Sequence, residues 1–143
     1  MTQQETLARL VAFYQTLEAS KLNQLADIYH SDICLADPVG EHRGLPVVSD
    51  YFSSLLKNLR YCRFDVSQTH HFDNNALLIW RMFYAHPSLQ GGAEQTLEGS
   101  SYIQFRDDKI SFQRDYYDMG AMLYEKIPVL GSVIRQLKKR LQP

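Results

Sequence analysis

What constrains this chain most is a change of periodicity near Arg60. Up to that point apolar residues recur every three or four positions, the spacing of a helix face. Beyond it, stretches rich in β-branched and aromatic residues alternate with short polar turn sequences. Thr2-x-x-Glu5 forms a capping box ahead of Leu7, Leu10, Val11, Tyr14 and Leu17, which predicts a first helix. Leu22, Leu25, Ile28 and Tyr29 predict a shorter second helix after Ser20. A third starts at Pro46, a residue suited to a first helical turn, with Val48, Tyr51, Phe52, Leu55, Leu56 and Leu59 on its buried side. Between the second and third, Asp37-Pro38-Val39-Gly40 takes a short strand into a turn. Tyr61 to His71, Ala76 to His86, Glu94 to Arg106 and Lys109 to Asp118 then read as strands, separated by Asp73-Asn74-Asn75, Gln90-Gly91-Gly92 and Asp107-Asp108. Helices followed by an antiparallel meander predict an α+β fold, in which a bent sheet closes over the helices. A final helix, broken near Pro128, forms a C-terminal extension.

With 143 residues, 45% of them hydrophobic, the chain can bury a core without disulfides or a metal, and 1–143 reads as one domain. The longest apolar runs, such as Ala76 to Trp80, fall far short of the ~20 residues that span a bilayer, and Met1-Thr2-Gln3-Gln4-Glu5 lacks the basic start of a signal peptide. A cytoplasmic location is expected. Cys34 and Cys62 make no CxxC pair and read as small buried hydrophobes. A net charge of −1 gives no reason to expect nucleic acid. The charge is unevenly placed, however: residues 126–143 hold five bases and no acid, leaving 10 bases and 16 acids before them. Residues 129–143 are expected to form a basic amphipathic helix that lays Leu130, Val133, Ile134, Leu137 and Leu141 on protein. Arg135, Lys138, Lys139 and Arg140 then face solvent, and the rival reading, attachment to an anionic membrane, is not preferred.

No metal or nucleotide signature occurs. The histidines are scattered, His70 and His71 point to opposite faces of one strand, and GxGxxG, P-loop and GxSxG are all absent. No cofactor is required. The suggestive residues are polar ones in apolar surroundings. Alternation puts Arg81 on the face of Ile79 and Phe83; if that face is buried, its guanidinium needs a carboxylate partner. Trp80, Met82 and Tyr84 would then form an apolar outer face, the expected surface of a homodimer. In the last strand Asp115 and Tyr117 share a face. Periodicity alone makes Ile110 and Phe112 the core side, leaving Asp115 with Gln113 and Ser111 in solvent. Asp37, before a proline, reads by default as a turn residue, and Tyr14 as a core residue with a hydroxyl partner.

The helix order, the Asp37-Pro38 turn and the ending Arg114-Asp115-Tyr116-Tyr117-Asp118 resemble the nuclear-transport-factor-2-like (NTF2-like) superfamily, and more narrowly its SnoaL-like branch, across nearly the whole chain. The resemblance implies a cone-shaped α+β barrel whose bent sheet wraps three helices around a deep cavity, often in a homodimer. Ketosteroid isomerase is similar around residues 29–40: its proton-shuttling aspartate falls on Asp37, its oxyanion tyrosine on or near Tyr14, and its second oxyanion donor on Ser101. Limonene epoxide hydrolase resembles the other end: its water-activating aspartate falls on Asp115, its bridging arginine on Arg81, its proton-donating aspartic acid on Phe83 and its water-holding pair on Leu35 and Asp37. That comparison turns Asp115 inward beside Arg81.

The candidate catalytic residues are therefore Asp115, Asp37, Arg81 and Tyr14, with Tyr117, Phe83, Leu35, Ser101 and Phe52 about the substrate; no metal site is expected. Two readings stay open. One is a cofactor-independent isomerase or epoxide-hydrolase-like enzyme acting on a small apolar oxygenated molecule such as a terpenoid, steroid or polyketide. The other is a non-catalytic ligand-binding or dimerisation module.

Overall fold

The computed structural model describes residues 1–118, 120 and 128–142. Helix α1 (Gln3–Gln15) starts as its capping box predicts, with Thr2 Oγ1 accepting the Glu5 N–H at 3.1 Å, and it buries Leu7, Leu10, Phe13 and Tyr14. A 3-10 segment (Ala19–Gln24) runs into α2 (Leu25–Ile28), a single helical turn. Tyr29, assigned to that helix by its spacing, instead opens strand β1 (Tyr29–Asp37). A tight turn leads to β2 (Gly40–Arg43), and Gly44, at φ +89°, is followed by α3 (Leu45–Asn58). The meander comprises β3 (Tyr61–Phe72), β4 (Asn75–Ala85), β5 (Gln95–Arg106) and β6 (Lys109–Tyr117), and the chain ends in α4 (Pro128–Leu141). Asp107 and Asp108 take left-handed φ values of 53° and 62° in the β5–β6 turn, a conformation that aspartate tolerates better than most residues.

The six strands lie in the order β2-β1-β6-β5-β4-β3. All neighbours are antiparallel except β1 and β6, which run parallel and so bring the Asp37 end of β1 beside the Asp115 end of β6. One core gathers α1, α2 and α3 against the inner face of the sheet, with Leu10, Ile33, Leu35, Val48, Leu78, Ile103 and Ile110 wholly buried. This is the expected α+β architecture.

Strand β4 faces the opposite way from the expectation. Ala76, Leu78, Trp80, Met82 and Tyr84 are buried, while the Arg81 side chain is 54% exposed and paired with Glu98 on the outer face. The segment is apolar on both faces, so desolvation of the one guanidinium decides its parity. Outward, Arg81 sits between its register partners Asp65 and Glu98, and the half-buried Phe83 is covered by the Arg63 guanidinium, 4.1 Å from its ring centre. Trp80, Met82 and Tyr84 therefore cannot supply an outer dimer surface. Inside, Trp80 fits because its register partner is Gly99: a Cβ there would stand 2.3 Å from the indole and 2.7 Å from the Tyr116 carbonyl oxygen.

Strand β6 also departs from simple alternation. Gln104 pairs with Phe112 but Phe105 with Ile110, which leaves Ser111 as an extra residue. That β-bulge reverses the parity, so Ile110 and Gln113 are both buried and Asp115 follows Gln113 inward. Exposure is also the outcome for part of the tail stripe: Val133, Leu137 and Leu141 on α4 are 48%, 52% and 85% exposed, so they do not lie on protein as expected. The side chains of Leu130 and Ile134 lie outside the described residues. Cys34 is half-buried and Cys62 buried, where desolvation pushes its thiol up to about 12. Among the described residues no helix is long and apolar enough to cross a membrane.

Candidate active site

Asp115 stands opposite Ser101 in the β5–β6 register, near the carboxyl-terminal end of β6. Ser101 Oγ donates to Asp115 Oδ1 at 2.6 Å, and Gln113 Nε2 donates to the same oxygen at 2.9 Å. Each donor is itself held. Trp80 Nε1 donates to Ser101 Oγ at 2.9 Å, which leaves the serine proton for the carboxylate. Tyr29 Oη donates to Gln113 Oε1 at 2.7 Å, and the second Gln113 amide hydrogen goes to Tyr14 Oη at 2.8 Å. A carboxylate only accepts, so the amide orientation is set by Asp115. Ser101 and Gln113 are fully buried, and the whole network is anchored on β1, α1 and three strands of the meander.

Both hydrogen bonds end on Oδ1. The carboxyl group keeps part of its surface, and it borders a cavity of about 30 Å³ lined also by Tyr51, Leu55, Phe64, Trp80, Met82, Leu97 and Tyr117. That space holds one or two waters. Tyr51, Leu55 and Tyr117 are only half-buried and so form its rim. Burial pushes the Asp115 carboxyl up from the usual 3.8 to about 6; the Ser101 and Gln113 hydrogen bonds pull against the shift, and the negative charge of Asp37 adds to it. Burial, with the charges of Asp37 and Asp115, also raises the hydroxyls of Tyr51 and Tyr117, which stay neutral donors over the whole physiological range. One ionisable acid thus borders a mostly apolar space together with two neutral phenols.

Asp37 takes its default turn role: Oδ1 accepts the Val39 and Gly40 N–H groups at 2.9 and 3.1 Å. Its Oδ2 lies 3.9 Å from His42 Nε2, and these are the two buried side-chain polar atoms without a hydrogen-bond partner among the described residues. His42 in turn packs on the Tyr51 ring, with centres 4.5 Å apart, which ties the turn to the cavity rim.

The structure brings together Asp115, Ser101 and Tyr117 from the sequence candidates. Tyr14 stands one layer behind, as a partner of Gln113. Leu35 and Phe52 are core residues outside the cavity lining, Phe52 packing on Phe13, Tyr14 and Tyr51. Arg81 and Phe83 lie on the other face of the sheet, so the carboxylate–arginine contact inferred from the epoxide-hydrolase resemblance is absent. Sequence reasoning missed Tyr51, His42 and the inward role of Gln113. Gln113 was within reach, since an inward Asp115 carries residue 113 with it two positions back along the strand.

A sequence search of the curated proteins finds no match. Among solved structures, the chain is similar to a ketosteroid-isomerase-like hypothetical protein from Catenulispora acidiphila crystallised with trimethylamine (TM-score 0.74, 12% identity, covering 88% of this chain and 94% of that one). It is also similar to a protein from Jannaschia sp. CCS1 classed as a SnoaL-like polyketide cyclase (TM-score 0.74, 12% identity, 85% and 88% covered). A third, AclR from Streptomyces galilaeus, classed as a hydroxylase, matches at TM-score 0.68 and 16% identity over 91% and 96%. At such identities the likeness is one of fold. The family model of the SnoaL-like domain matches residues 10–113, most of the chain, and the protein therefore belongs to the SnoaL-like domain family.

Proposed function

We propose that this protein binds a small, mostly apolar molecule carrying a carbonyl or hydroxyl group against Asp115, and that Asp115 moves a proton on it as a general base without a cofactor. The observation that carries this reading is the carboxyl group itself, desolvated to a value of about 6, held at one oxygen by two donors and bordering an apolar cavity. A base is most effective when its proton affinity lies near the working pH, and this one is mostly ionised at neutrality yet a better acceptor than an exposed aspartate. Tyr51 and Tyr117 are the neutral donors at the rim and would hydrogen-bond a substrate oxygen as negative charge develops on it. With Arg81 and Phe83 on the outer face, neither the clamp nor the acid position of an epoxide hydrolase borders the cavity. The chemistry supported is therefore isomerase-type proton transfer. Substrate entry requires the rim side chains Tyr51, Leu55 and Tyr117 to turn aside, because the closed space of about 30 Å³ is far below the ~300 Å³ or more of a ligand pocket.

That closed volume favours a second reading, a binding module in which the acid orients a ligand and no bond is broken. Thermal-shift screening with small enones, quinones and terpenoid ketones, followed by turnover assays on each stabilising compound, separates the two. On a turned-over compound, Asp115→Asn lowers the rate about a hundredfold or more while ligand stabilisation persists. A ligand that stabilises the protein and emerges unchanged, and that the Asp115→Asn variant binds more weakly, establishes the binding module instead.

A further inference from the structure

Helix α4 presents a face that the cavity reading does not use. Val133, Leu137 and Leu141 recur at four-residue spacing along one side and are 48%, 52% and 85% exposed. Arg135, Lys139 and Arg140 are exposed as well, and Lys138, which reaches Asp118 at the end of β6, lies at the margin of the stripe. At 3.6 residues per turn Lys138 flanks the stripe on one side and Arg140 on the other, the positions from which long basic side chains lay their stems along an apolar surface and extend their charges outward. The segment 126–143 itself contains no acid, and the acid that meets it from the end of β6 is Asp118, at Lys138.

We infer that α4 docks the domain peripherally on an anionic phospholipid surface. Charge complementarity selects this occupant. An apolar stripe bordered by bases, on a helix that contributes no acid of its own, matches a sheet of negative headgroups over hydrocarbon, and the helix lies in that interface with Leu137 and Leu141 submerged. At 14 residues it is too short to cross, so the attachment is to one leaflet. The groove beside α1 gives the helix of a second copy a poorer seat. The apolar groove of about 430 Å³ beside α1, lined by Gln4, Leu7, Ala8, Val11, Thr69 and His71 among others, contains no carboxylate to meet the bases. The chain ahead of residue 126, with 10 bases and 16 acids, is repelled by the same lipid surface, which leaves α4 as the contact.

The test is sedimentation of the full chain with vesicles of pure phosphatidylcholine and with vesicles containing about one-third phosphatidylglycerol, at low and at physiological salt, alongside light scattering of the free protein. The expected result is sedimentation with the anionic vesicles only, weakened by salt. A neutralised base near the surface should cost about fivefold in partitioning, so Arg140→Gln loses roughly fivefold and Lys139→Gln, on the far side of the helix, less. Leu137→Asp should abolish binding, while the mass in solution and the thermal unfolding of each variant stay those of the parent. Failure of the parent protein to sediment with anionic vesicles overturns the proposal, as does equal sedimentation with neutral ones. A parent dimer that Leu137→Asp converts to a monomer also overturns it, by assigning the stripe to a second copy.

Discussion

Asp115 and Glu98 are carboxylates on neighbouring strands of one sheet, and the sheet gives them opposite treatment. Glu98, on the outer face, has an arginine beside it and stands 73% exposed in water. Asp115, on the inner face, has no cation among its hydrogen-bond partners in the described residues and is held by a serine and a glutamine amide. The contrast shows that on this sheet the acid removed from water is the one without the salt bridge, and it is this acid that we propose as the base. An exposed pair is worth about 0–1 kcal/mol and leaves both charges in place, whereas removal from water changes what the acid can do.

The contrast can be broken most forcefully at Ser101. Ser101→Ala removes a donor to Asp115 and leaves the buried Trp80 indole N–H without its acceptor, and a loss of about 2–3 kcal/mol is expected in denaturant unfolding. The same variant raises the Asp115 titration midpoint further, because a hydrogen bond that favours the charged form is gone.

Asp115→Asn has the opposite sign for stability. The folded carboxyl holds its proton up to about 6 and the unfolded one releases it near 3.8, so the folded state binds the extra proton between those values and stability falls as pH rises through them. Asparagine keeps an acceptor for Ser101 and Gln113 without the buried charge. The variant should be more stable than the parent by on the order of 2 kcal/mol at pH 7, with the difference vanishing below about pH 4. Thermal unfolding of both proteins across that range checks it.

The smallest effect is expected on the other face. Arg81→Ala removes an exposed pair with Glu98 and should change stability by no more than about 1 kcal/mol, with no change in the Asp115 midpoint. A large shift of that midpoint would mean that the two faces communicate and that Asp115 does not owe its proton affinity to the inner face alone.

These two faces also mark what the sequence discloses. The helices, the meander and its turns follow from periodicity and turn chemistry, and the Thr2 cap and the Asp37 turn form as their residue types predict. Parity was harder. Leu77 to Phe83 is apolar on both sides, so alternation carries little information, and the cost of burying Arg81 is what orients the strand. In β6, alternation read from Ile110 places Asp115 outside, and the bulge at Ser111 reverses it. A single extra residue has no signature in composition. The family resemblance turns Asp115 inward but carries Arg81 along with it as its partner, whereas the exposed Glu98 and Asp65 offer the guanidinium a carboxylate without desolvation. His42 and Tyr51 meet only through the packing of β2 on α3, and no spacing in the chain announces that contact.

The central claim is that Asp115 is a desolvated base at the wall of the cavity, and its titration tests this most directly. Carboxyl carbon shifts of the aspartates, with Asp115 assigned by its loss in Asp115→Asn, should show this residue titrating with a midpoint of about 6. A midpoint near 3.8 would mean that water reaches the carboxylate freely, and the account of Asp115 as the base would be wrong.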